Sequence, residues 1–269
     1  MRSSIIIFTI ALLSLCLSQP SFANSRFETN SITPNILVIY FHSYGSNYTE
    51  AFDAPSPDDS IAKAMLKDIP GVAILSIDRE SKAAINGSDG YREVSELTTQ
   101  CWNDHPSLKH IVLCGTSLGA YESLAYLHYT PQPIFDKVCG IISVEPTDDL
   151  ADLFYKTRSA KVQELLFSAF GGDPIKEPDY YRSHSIKTLF SNVPNRPDIK
   201  ICIVSAKRDR VVPPYQQKRL CNTLREKKFQ VQLVEIDRAH SVADSGIYGI
   251  ALHYVTGRYE RNLQPLTVK

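Results

Sequence analysis

Six short apolar runs punctuate the chain: NILVIYF from Asn35, VAILSID from Val72, HIVLCG from His110, VCGIISV from Val138, IKICIVS from Ile199 and VQLVEI from Val231. Most are continuously apolar rather than alternating, the pattern of parallel strands covered on both faces. Amphipathic stretches of helical length lie between them. DDSIAKAMLKDI follows the first run, with Asp58 or Asp59 placed to cap it, YREVSELTTQCW follows the second and LGAYESLAYLHY the third. PPYQQKRLCNTLREKKF follows the fifth, its prolines at a helix start where a missing N–H costs nothing, and SGIYGIALHYVTGRYE follows the sixth. Strand and helix in alternation predict an α/β fold, a doubly wound, mainly parallel sheet of about six strands. The interval at about 146–198 breaks this rhythm. It holds TDDLADLFYKT, SAKVQELLFSAFGG and the proline-rich SNVPNRPD, and reads as a helical, cap-like insertion between the fourth and fifth predicted strands. Segments of this length commonly line binding sites. Gly171-Gly172 reads as a helix end rather than a phosphate cradle.

The first 23 residues stand apart. Arg2, the apolar stretch IIIFTIALLSLCL (5–17) and the small residues Ser21 and Ala23 predict a signal peptide cleaved after Ala23. The stretch falls short of the about 20 residues that span a bilayer, and no later run approaches that length. The expectation is therefore an exported protein, periplasmic or secreted, without stable membrane insertion, with 24–269 as one domain. Basic and acidic residues both number 29, so the net charge is zero and there is no electrostatic footprint for nucleic acid. That balance points to a small or uncharged partner molecule. Cleavage would leave five of the six cysteines, an odd count, with Cys114, Cys139 and Cys202 inside strand runs and Cys221 on a helix face. One bridge is open to them, but a disulfide framework is not expected. Their spacing fits no zinc pattern, and neither G-x-x-x-x-G-K-[ST] nor G-x-G-x-x-G occurs, so no metal and no cofactor are predicted.

Gly115-Thr116-Ser117-Leu118-Gly119 follows the strand HIVLC and opens a helix, which is the setting of a nucleophile elbow. The plainer reading is a serine in a tight βα turn. A serine alcohol becomes a useful nucleophile only beside a base that an acid orients. Of the seven histidines, His240 in VEIDRAHSVAD lies on the loop after the last predicted strand, at the same sheet edge as Ser117. His42 belongs to the first βα loop, His105 and His110 precede the nucleophile strand, and His128 and His253 fall at helical positions. His184, in the insertion, stays open to substrate contact. Asp209 directly follows the fifth run and is the favoured acid, with Asp148 and Asp149 after the fourth as rivals; Asp237 sits too close to its strand end. A tetrahedral intermediate needs two N–H donors. Leu118 supplies one at the helix start, and the loop FHSYGSN supplies the other from Ser43 or Tyr44, with Tyr44 favoured. The substrate pocket is expected against Tyr44, Tyr48, Phe154 and Phe167, with Leu153, Leu165 and Leu166 beside them.

At these residues the sequence resembles the α/β-hydrolase superfamily. KICIVSAKRDRVVPPYQQKRLCNTLREKKFQVQLVEIDRAHS looks like the C-terminal part of its prolyl-oligopeptidase-like and dienelactone-hydrolase-like members. There a D-x-x-V-P-P turn carries the acid, and a helix and a strand lead to the histidine. The resemblance implies Ser117, Asp209 and His240 as a triad in the chain order Ser…Asp…His. His-Ser-Tyr-Gly from His42 echoes the His-Gly-x-Gly loops of esterases, with Ser43 replacing the first glycine. The activity implied is a serine hydrolase that cleaves small-molecule carboxylic esters through an acyl-enzyme intermediate and uses no cofactor. Short peptides are the alternative substrates, because ester and amide cleavage share the triad. Two departures stand out: no β-propeller segment is expected ahead of the catalytic part, and no strand is predicted before Asn35, where conventional members carry two or more, so a reduced sheet is expected. A non-catalytic binding protein on the same scaffold is the competing class; the presence of all three triad residue types argues against it.

Overall fold

The computed structural model describes residues 24–79, 85, 87–241 and 244–257; the predicted signal peptide lies outside the described residues. The strands are β1 Ser25–Thr29, β2 Ile36–Phe41, β3 Val72–Ile77, β4 His110–Thr116, β5 Val138–Val144, β6 Lys200–Ala206 and β7 Gln230–Ile236. They form one seven-stranded sheet in the order β1-β3-β2-β4-β5-β6-β7. From β2 to β7 every pairing is parallel, and only β1 runs antiparallel, against β3.

The six apolar runs become β2 to β7, so the sheet carries one strand more than the pattern predicts. The additional strand, SRFET, is half-buried throughout and two of its five residues are charged. Arg26 pairs with Glu28 at 2.6 Å and with Asp53 at 3.0 Å along this sheet edge. Charge on an edge strand guards its unpaired backbone against other chains. The same charge removes the apolar signature by which strands are found.

The described α-helices are α1 Glu50–Asp53, α2 Ile61–Asp68, α3 Arg92–Asp104, α4 Leu118–Tyr129, α5 Gln132–Phe135, α6 Leu150–Lys156, α7 Ala160–Phe170, α8 Pro178–His184, α9 Ile186–Leu189, α10 Pro214–Glu226 and α11 Gly246–Val255. Ser60, not Asp58 or Asp59, caps α2, its hydroxyl accepting from the Lys63 N–H at 3.2 Å. Pro57 opens a separate 3-10 turn over Pro57–Asp59, which takes both aspartates out of the cap position. Gly171 ends α7 in the left-handed conformation, as its sequence setting predicts.

Alternation along β2 shows how the sheet divides the core. Leu37, Ile39 and Phe41 face the layer that contains Tyr121, Leu153, Leu165 and Leu220, while Ile36, Val38 and Tyr40 face the layer of Met65, Tyr248 and Leu252. Helices α3, α4, α6, α7 and α10 therefore cover one face, and α2 and α11 cover the other. At about 25 cal/mol per Å² of apolar surface, two-sided burial is what stabilises continuously apolar strands. The helices α6 to α9 occupy the long interval between β5 and β6. The five cysteines in the described residues are all unpaired. No described helix is long and apolar enough to cross a membrane.

The strand order also locates the site. The chain leaves β2 to form β3 on one side, then crosses back to form β4 on the other. The carboxyl ends of β2 and β4 thus lie side by side at a point where the winding reverses, which is where α/β sheets bind ligands.

Candidate active site

Ser117 is the first residue after β4 and the cap of α4, with φ +55° and ψ −113°. A side chain in this region costs on the order of 1–3 kcal/mol and needs its surroundings to hold it. Two glycines make the bend possible. A Cβ on Gly115 would stand 2.1 Å from the Gly119 carbonyl oxygen, and one on Gly119 would stand 1.9 Å from that of Phe41. The Ser117 N–H donates to the Val144 carbonyl at 2.8 Å, tying the bend to β5. Beneath it, Thr116 Oγ1 shares hydrogen bonds with the hydroxyls of Tyr40 at 3.0 Å and Tyr248 at 2.5 Å.

Three of the side chains singled out in the sequence meet. Ser117 Oγ lies 2.8 Å from His240 Nε2, and His240 Nδ1 lies 2.6 Å from Asp209 Oδ2. The second Asp209 oxygen accepts from the N–H groups of Val211 and Val212 at 2.7 and 2.8 Å, so the turn after β6 fixes the carboxylate. The rival acids are engaged elsewhere. Asp148 accepts from Nε and Nη2 of Arg219 at 2.6 and 2.8 Å, Asp149 caps α6 through the Asp152 N–H, and Asp237 pairs with Arg208 at 2.9 Å. His184 stacks on Tyr180 and packs against Phe170, and the apolar pocket beside Ser117 does not include it.

A fourth group joins the three, and the hydrophobic pattern alone does not mark it. Glu145, the residue after β5, is fully buried and has a φ of +61°. Its Oε2 lies 3.1 Å from His240 Nδ1 and accepts from the Ser241 N–H at 2.5 Å, while Oε1 has no hydrogen-bond partner among the described residues. Burial pushes this carboxyl up to about 7, against the opposing pull of His240 and the Ser241 N–H. A proton on Nδ1 is donated to Asp209 Oδ2, with Glu145 Oε2 as a close second neighbour, and leaves Nε2 to accept from Ser117. The ligand atoms of Glu145, Asp209 and His240 are also near enough to converge on a cation; here a hydrogen bond joins His240 Nδ1 to Asp209, and Glu145 lies alongside.

The two proposed N–H donors come from either side of the β2–β4 junction. Leu118 opens α4, where helix N–H groups are free of intrahelical partners. On the β2 loop, the Ser43 N–H and hydroxyl both donate to Glu50 Oε2 at 2.8 Å, whereas Tyr44 lines the pocket beside Ser117. Arg79 fixes this loop. Its Nη2 donates to the His42 carbonyl at 2.9 Å and its Nε to Glu122 Oε1 at 2.7 Å, so one buried guanidinium bridges the loop and α4.

An apolar pocket opens beside Ser117. Tyr44, Leu118, Leu150, Leu153, Val162, Leu165, Leu166, Val211 and Val212 line it, and its free space is small, about 40 Å³. Leu150 and Leu153 on α6, and Val162, Leu165 and Leu166 on α7, recur at helical spacing and share an inward face. Phe154 and Phe167 each lie one residue further on, turned away by about 100°. Phe154 instead packs edge-on against Tyr181 at 5.8 Å, and Phe167 is 50% exposed. Tyr48 is half-buried ahead of α1 and is likewise not among the lining residues. Of the residues expected around the substrate, Tyr44, Leu153, Leu165 and Leu166 line this pocket, and Tyr48, Phe154 and Phe167 do not.

No protein-family model matches the sequence, and no curated protein matches it. Solved structures do match in three dimensions. An acylaminoacyl peptidase of Pyrococcus horikoshii superposes with a TM-score of 0.68 at 13% identity, over 89% of this chain and 40% of that one. This chain thus spans less than half the length of that protein. A truncated carbohydrate esterase from gut microbiota gives 0.66 at 18% identity, over 87% of this chain and 90% of its own. An esterase of Pyrococcus furiosus gives 0.54 at 14% identity, over 84% of this chain and 80% of its own. At these identities the likeness speaks for architecture, and the sheet order, the bend at Ser117 and the superpositions agree: this chain has the α/β-hydrolase fold.

Proposed function

We propose that this chain is a serine hydrolase that cleaves carboxylic esters. Ser117 Oγ attacks the ester carbonyl while His240 Nε2 takes its proton, and Asp209 holds the imidazole and balances its positive charge. The N–H groups of Leu118 and Tyr44 receive the developing oxyanion, where one donor is typically worth about 3 kcal/mol. Collapse of the tetrahedral intermediate breaks the C–O bond, and His240 returns the proton to the departing alcohol. The acyl group stays on Ser117 until His240 activates a water that releases the acid. The observation that carries this reading is the unbroken contact from Ser117 Oγ through His240 to Asp209, at 2.8 and 2.6 Å.

The apolar pocket suits an uncharged acyl chain, and the likeness to two esterases favours esters. The likeness to an acylaminoacyl peptidase favours short peptide amides as a second reading, with the same residues in the same roles. Export to the periplasm or beyond the cell rests on the pattern of the first 23 residues. The direct test is labelling of the folded protein with a neutral fluorophosphonate, beside Ser117→Ala. The expected result is one label per chain in the wild type and none in the variant. A label that survives in Ser117→Ala, or its absence from folded wild type, would contradict the proposal.

A further inference from the structure

The chain has no net charge, yet its charges are not evenly spread around the site. A second groove meets the apolar pocket at Val211. Its walls are Arg208, Arg210, Val211, Arg238, Ala239 and His240, three arginines with no acidic residue among the lining. Arg208 is paired with Asp237 at 2.9 Å, whereas Arg210 and Arg238 have no carboxylate partner among the described residues. A fourth arginine, the exposed Arg158, is brought to the same rim by its backbone N–H, which donates to the Arg210 carbonyl at 3.0 Å. Asp209, between Arg208 and Arg210 in sequence, is buried and committed to His240 and its own turn.

The two cavities divide the reacting groups. Ser117 lines the apolar one and His240 lines the cationic one, so the hydrogen bond between them marks the boundary. In the reaction proposed above, the acyl part becomes bonded to Ser117 and the leaving part receives its proton from His240. The leaving part therefore has to lie where His240 faces open space, which is the arginine-lined groove. Guanidinium groups present forked N–H pairs suited to carboxylate and phosphate oxygens. We propose that this groove selects substrates whose leaving part carries an anionic group, carboxylate or phosphate, with an uncharged acyl part in the apolar pocket. Hydrolysis then yields the free acid from the acyl side and a negatively charged alcohol. The inference rests on the serine hydrolase reading and adds the substrate class to it.

The test uses butyrate esters of phenols that bear a carboxylate, a phosphonate or a neutral carboxamide at the same ring position. Specificity constants are compared for wild type, Arg210→Gln/Arg238→Gln and Arg210→Glu. Differences in phenol acidity are common to all three proteins and cancel when the anion-to-neutral ratios are compared. The expected result is a ratio that falls about tenfold or more in the double variant and further in Arg210→Glu, with the change carried by KM. The wild-type preference should also shrink as salt rises from about 0.05 to 0.5 M. The anion with the larger fall is the one the groove is built for. Equal ratios in wild type and variants, with all esters hydrolysed, would overturn this inference alone. Failure of the wild type to hydrolyse any of the three would overturn it together with the reading beneath it.

Discussion

Two carboxylates face the single Nδ1 of His240, and their surroundings separate them. Asp209 receives two backbone N–H groups in addition to the imidazole, while Glu145 receives one and leaves an oxygen bare. Burial pushes the Glu145 carboxyl up to about 7, so the folded protein holds this proton more tightly than the unfolded chain does. Its contribution to stability is therefore best at low pH and is lost as pH rises from the ordinary carboxylate range to about 7. Glu145→Gln has no such proton. Urea unfolding of both proteins should show wild type losing ground to the variant between about pH 4.5 and 7.5, by on the order of 3 kcal/mol. Parallel pH profiles would contradict the role of burial here. Ser117, Asp209 and His240 were legible because each comes just after an apolar run in a loop rich in Gly, Pro or charge. Glu145 was not, because a lone acid before a proline looks like any strand end; only its left-handed backbone and the fold behind it turn it toward His240.

At the scale of elements, the bend between β4 and α4 depends on close backbone contact. A Cβ on Gly119 would meet the Phe41 and His42 carbonyl oxygens at 1.9 and 2.7 Å, and backbone on a neighbouring strand end cannot swing aside. Gly119→Ala should cost about 4 kcal/mol or more, or prevent folding. Gly171, at φ +79° with open space around it, is the comparison: Gly171→Ala should cost only about 1 kcal/mol for its left-handed backbone. Equal losses in denaturant unfolding would mean the elbow is looser than its geometry. The helices α4 and α10 were readable from periodicity and flanking residues, and so was the insertion as helical. The faces of α6 and α7 were legible in part: Leu153, Leu165 and Leu166 line the pocket as expected, whereas one step of about 100° turns Phe154 and Phe167 away. Strand β1 escaped because a short charged edge leaves no apolar run.

For the whole molecule, the alternation of strand and helix made the α/β class visible, while the strand order was not in the pattern. That order sets the ends of β2 and β4 together and so assembles Tyr44, Ser117 and Leu118 from loops more than seventy residues apart. Net charge is silent on distribution in the same way. A sum of zero says nothing of three arginines gathered at one groove. In the proposed reaction Ser117 carries the acyl group of an ester substrate. Its most direct test is rapid acid quenching during turnover of a butyrate ester, followed by intact mass and peptide mapping. The expected result is one butyryl group, about 70 Da, on the peptide that contains Ser117, absent from Ser117→Ala and accumulating in His240→Ala only if the ester is highly activated. Turnover by the wild type with no adduct on that peptide, or with the adduct on another residue, would contradict it.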